Sequence, residues 1–118
     1  MITILPETDG PLIALKAIGK LTDADYEDAV PKMEAIIARE GKVKLIADLT
    51  EFEGWEWVAA WDDFAFGIKH WTDIDKMAFI GDKRWEELCA KVSDKLMHAE
   101  VKLFHSDDAD AAWTWIRG

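Results

Sequence analysis

One cysteine in 118 residues excludes an internal disulfide. Cys89, set among Trp85, Leu88 and Val92, is expected on the inward face of a helix. No apolar run approaches the ~20 residues that cross a bilayer. The opening stretch, MITILPETDG, lacks the basic region, long apolar core and small-residue cleavage site of an export signal, so a cytoplasmic location is expected. Bases are scarce: 14 against 24 acids give a net charge of −10, and nowhere do Lys and Arg cluster around aromatics, which excludes nucleic acid as a partner. Catalytic signatures are missing too. There is no Gly-x-Ser-x-Gly elbow, P-loop or Gly-x-Gly-x-x-Gly fingerprint, and His70, His98 and His105 show no metal-ligand spacing. The adjacent acids Asp62-Asp63, Glu86-Glu87 and Asp107-Asp108 point about 100° apart on a helix and do not converge on one substrate atom. No enzyme activity, cofactor or metal is expected.

What is present fits one α/β domain spanning residues 1–118, with half its residues hydrophobic. MITILPE and PLIALKAIG read as two strands around a Thr8-Asp9-Gly10-Pro11 turn. Thr22 with Asp25 suggests a capping box before a helix whose apolar positions are Tyr26, Val30, Met33 and Ile37, with Pro31 expected to bend it or restart it at Val30. Val43–Leu49 reads as a central strand and KMAFIGD as another, after which Asp82 is placed to cap a helix from Lys83. HAEVKLFH is a last strand, and Asp107, Asp108 and Asp110 suit the start of a final helix with Ala109, Ala112, Trp113 and Ile116 inward. The predicted order is ββαβαβαβα: about five strands in one mixed sheet, parallel after the opening hairpin, with four helices.

Composition changes abruptly at FEGWEWVAAWDDFAFGIKHWTDI, residues 52–74, which holds four tryptophans and three phenylalanines interleaved with carboxylates. On a helical wheel Trp61, Phe64, Ile68 and Trp71 fall within about 40° of Trp57, a stripe that can pack on a sheet. Trp55, Ala59 and Phe66 fall on the opposite side with Asp62, Asp63, Lys69 and His70. A second aromatic patch needs its own cover: another helix, a ligand, a partner chain or a membrane surface. Alternatively, Trp55 lies in a turn before the helix and a neighbouring helix covers Phe66. Half-burying two rings is worth roughly 5 kcal/mol at most. Three excess negative charges around them oppose about 3 kcal/mol of that at an anionic membrane, so membrane contact would be weak and reversible.

KLIADLTEFEGWEWVAAWDDFAFGIKHWTDIDKMAFIGDKRWEE, with the chain beyond it to Trp113, resembles the SpoIIAA-like proteins, a bacterial family related to STAS domains. Its landmarks are Asp-Leu-Thr, Gly-Trp, Asp-Asp-Phe, His-Trp and Gly-Asp-x-x-Trp. The resemblance implies the mixed sheet and helices of an anti-sigma-antagonist fold, no established enzyme activity, and, through kinship with lipid-transfer domains, apolar ligand binding and membrane association with a mobile second helix. Anti-sigma antagonists carry a phosphorylatable serine about nine residues after the strand-end aspartate. Here Asp48 is followed at that distance by Glu56, Trp57 and Val58, which puts a phosphorylation switch in doubt; Thr50 is a nearby hydroxyl.

Two expectations follow. The first is a non-catalytic domain holding an apolar or lipid-like molecule between the Trp55–Trp71 helix, the helix from Lys83 and the sheet. Trp57, Trp61, Phe64, Trp71 and Trp85 would form its walls, and Asp48, His70 and Asp82 a polar rim. The alternative is a STAS-type protein-interaction module, a homodimer among its forms, with Trp55, Ala59 and Phe66 as interface or membrane patch.

Overall fold

The computed structural model describes residues 1–55, 74–87, 89–90 and 99–118. Five strands form one sheet in sequence order: β1 (Ile2–Ile4), β2 (Leu12–Leu21), β3 (Val43–Trp55), β4 (Ile74–Gly81) and β5 (Glu100–His105). β1 is antiparallel to β2, as the short turn between them requires, and every later neighbour is parallel. The expected mixed five-stranded sheet with an opening hairpin is what forms.

Helix α1 (Asp23–Glu40) joins β2 to β3, and α2 (Ala109–Arg117) follows β5. The start of α1 is fixed by Asp25, whose carboxylate accepts the Thr22 backbone N–H at 2.9 Å and the Thr22 hydroxyl at 3.2 Å. Burial works to raise the Asp25 pKa, but the bond from the Thr22 backbone and the terminal ammonium of Met1 outweigh it and hold the carboxyl below its usual range.

The strand pleat divides the core into two layers. Val43, Leu45, Ala47 and Leu49 of β3 join Ile13, Met77, Phe79 and the α1 residues Met33 and Ile37 on one face. On the other, Ala14, Ile46 and Ala78 lie in one register row beneath Ala112 and Ile116 of α2. The alanines of that row and Ala112 are fully buried, so the helix approaches the sheet closely. Right-handed crossovers between successive parallel strands run over a single face, and the helix after the last strand is free to fold back over the other.

Four expectations need correction. Among the described residues there are two α-helices, not four, and the described order is two strands, helix, three strands, helix. The first of the two further helices falls on residues 56–73, outside the described residues. The second opens as a 3-10 turn, Lys83–Trp85, because the Trp85 N–H donates to the Asp82 carbonyl at 3.1 Å, three residues back; residues 86, 87, 89 and 90 are helical. Pro31 does not restart α1 at Val30; the helix runs unbroken from Asp23 to Glu40 with the proline inside it. Finally, β3 continues past Leu49 to Trp55, where it pairs with Leu21, so Trp55 closes a strand and does not share a helical face with Ala59 and Phe66. Pairing with β2 continues through two register slips, each with one extra residue in β3, and Gly54, at φ 108°, supplies a backbone conformation L side chains rarely adopt.

Candidate functional site

Ligands of open parallel sheets gather beyond the carboxyl ends of the strands, which here means the end of β3, the turn after β4 and the last residues of β5. β3 and β4 pair only as far as Asp48 opposite Ile80, while β2 and β3 continue together to Leu21 and Trp55. A two-stranded extension therefore projects past the end of β4 and leads into residues 56–73.

On the α2 face, Lys16 of β2 stands opposite Asp48. The Asp48 carboxylate accepts the Thr50 hydroxyl at 2.6 Å and the Thr50 N–H at 2.9 Å through one oxygen, Oδ1. Lys16 pairs with Glu51, beyond the first register slip. The hydrogen bond to Glu51 raises the Lys16 pKa against the opposing effect of burial, with further help from the charges of Glu51 and Asp48. Each ionised group in this cluster is thus held by a neighbour. That suits a fixed polar surface better than a proton shuttle, which needs a titrating group with a free acceptor.

On the α1 face the same end of the sheet is aromatic. Phe52 is buried in β3, and its ring stacks on Trp85 with centroids 4.5 Å apart and 28° between planes. Gly81 closes β4 directly beneath: a Cβ built there would lie 2.7 Å from Cδ1 of Trp85. The glycine is needed for that close approach, and its spacing from Trp85 is the Gly-Asp-x-x-Trp motif read in three dimensions. Cys89 is half-buried beside this layer, and burial pushes its thiol pKa up, away from the reactive thiolate form.

Of the residues singled out in the sequence, Asp48 lies within β3 opposite Ile80 on the α2 face, Asp82 follows the end of β4, and Trp85 lies in the core on the α1 face. Trp57, Ala59, Trp61, Phe64, Phe66, His70 and Trp71 lie outside the described residues, and Trp55 is placed by its backbone at the end of β3. Sequence reasoning missed Lys16, Glu51 and Phe52. The cross-strand neighbours of Lys16 depend on register, and Phe52 fell beyond the strand as read to Leu49 because the slip in β3 breaks its period-two pattern.

A five-stranded sheet in sequential order, an antiparallel first strand and described helices on both faces define a mixed α/β domain of the SpoIIAA-like fold. The family model SpoIIAA-like matches residues 12–117. Among solved structures the chain is similar to an uncharacterized protein of the DUF3478 family with a SpoIIAA-like fold from Shewanella loihica PV-4, at 34% identity and a TM-score of 0.73, covering 98% of this chain and 93% of the other. No curated protein matches. This chain belongs to the SpoIIAA-like family.

Proposed function

We propose that the protein is a regulatory protein–protein interaction module of the STAS type that works without a phospho-serine switch. The observation that carries this is the strand end itself. The polar groups described there are engaged with one another, and the aromatic residues Phe52 and Trp85 are packed into the core, an arrangement that presents shape and charge rather than chemistry. At the distance from Asp48 where an anti-sigma antagonist carries its serine, this chain carries Glu56, Trp57 and Val58. Isolating the tagged protein from its own cells under mild conditions, with and without phosphatase, tests both halves. A partner retained in stoichiometric amount and indifferent to phosphatase is expected. Loss of the partner on dephosphorylation, or no partner under either condition, overturns the proposal.

An apolar ligand is the second candidate, motivated by the concentration of tryptophan and phenylalanine in residues 52–74. It would lie against Trp57, Trp61, Phe64 and Trp71 with Asp48, His70 and Asp82 at the rim, and weak peripheral membrane contact through Ala59 and Phe66 would accompany it. Titration with fatty acids of increasing chain length while tryptophan fluorescence is recorded distinguishes the two, since a saturable, length-dependent change is required only by this one.

A further inference from the structure

On a chain of net charge −10, two lysines at the corner of the sheet between α2 and β5 lie over aromatic rings. Lys76 of β4 lies over the ring of Trp115, 5.0 Å from its centroid, and Lys102 of β5 lies 5.1 Å from the centroid of Phe104. The two rings are themselves 5.7 Å apart, so cation, ring, ring and cation form one continuous strip. Neither lysine is in an ion pair among the described residues, although acids outnumber bases 24 to 14 and Glu100 stands in register with Lys76. Trp115 is half-buried, and an aromatic centre rimmed by cations is the composition of an interface hot spot.

The strip borders an open edge. β5 is the last strand of the sheet, and among the described residues nothing pairs with its outer side. Its side chains alternate: Glu100, Lys102 and Phe104 face α2, whereas Val101 and Leu103 lie half-buried against the other core layer. An added strand would set alternate residues on the α2 face, where Lys102 lies between Glu100 and Phe104, and the residues between them against the apolar margin of Val101 and Leu103.

We propose that β5 is the docking edge for an extended partner segment alternating acidic and apolar residues, added as a sixth strand, its carboxylates drawn to Lys102 and Lys76 and its main chain bonded to the β5 backbone. This rests on reading the chain as a protein-interaction module and names the surface and partner chemistry. Charge complementarity favours such a segment over an anionic membrane, which would meet the rest of an acidic molecule as well.

The test is a titration of the isotopically labelled full chain with a short capped peptide alternating Glu and Val, followed by nuclear magnetic resonance. Amide shifts are expected along residues 100–105 and at the Trp115 indole N–H, with affinity falling as salt rises. The double variant Lys76→Gln, Lys102→Gln should bind about 10-fold more weakly, because two charge-assisted contacts are lost. A peptide with Lys in place of Glu should leave the spectrum unchanged. No shifts, shifts centred elsewhere, equal binding of the Lys peptide, or the same response to anionic phosphatidylglycerol vesicles would overturn the proposal. Its failure is distinct from failure of the module itself: a partner isolated from cells that binds the double variant undiminished removes the β5 assignment and leaves the interaction function standing.

Discussion

Replacing Gly81 with alanine probes the contact that fixes the end of β4. The new Cβ would sit 2.7 Å from Cδ1 of Trp85 and 3.5 Å from Cβ of Leu49, whereas carbons at rest keep 3.5–4.0 Å apart. Relief must come from the indole, but that ring is buried and stacked on Phe52 at 4.5 Å, so moving it gives up the stack. Overpacking of this kind costs about 2 kcal/mol, or roughly 8 °C in Tm for a chain of this length. Urea unfolding followed by far-ultraviolet circular dichroism measures it. The cause is isolated by repeating the substitution in a Trp85→Val background, where the ring is absent: Gly81→Ala should then add no more than about 0.5 kcal/mol to the cost of Trp85→Val alone. An unchanged midpoint for the single variant, or the same loss in both backgrounds, would refute the steric argument.

Gly54→Ala should destabilise by about 1–3 kcal/mol although nothing among the described residues lies within 4 Å of its Cβ position, because φ 108° suits only glycine. Semisynthetic D-alanine at the same position should restore the midpoint, and a cost common to both enantiomers would point to side-chain crowding instead. Phe52→Ala empties one of the largest fully buried sites in the core and removes the Trp85 stack, so a loss of about 3–5 kcal/mol in urea unfolding is expected, and a loss below 1 kcal/mol would contradict the packing described. The Lys16 pKa is raised in the folded chain, chiefly by its bond to Glu51. That contribution is complete below the unfolded value of about 10.5 and disappears as pH rises through the folded one. Glu51→Gln should therefore flatten the fall in stability between neutral and strongly alkaline pH, and identical pH profiles for the two proteins would show the pair to be inert.

Much of this architecture was legible in the sequence because local patterns and tertiary structure agree. The Thr8-Asp9-Gly10-Pro11 turn sets the opening hairpin, Thr22 and Asp25 mark the start of α1, and the alternation from strand to crossover specifies parallel pairing. The misreadings share a cause: each is a place where register or packing overrides a local rule. Pro31 is accommodated within the unbroken α1. The slips along which β3 continues to Trp55 are invisible to a period-two count, and the second falls at the positive-φ glycines Gly19 and Gly54. Asp82 was within reach through the rule for strand ends, and Asp48 through the same rule applied to β3 read as ending at Leu49. Lys16 and Glu51 were not, because no local spacing connects residues 35 positions apart.

The central claim is that the chain acts by binding another protein, and native mass spectrometry of the protein as isolated from its own cells tests it most directly. A species heavier by the mass of a protein subunit, with the chain itself carrying no adduct, is the predicted spectrum. A bare monomer accompanied by a tightly retained small apolar molecule would contradict it.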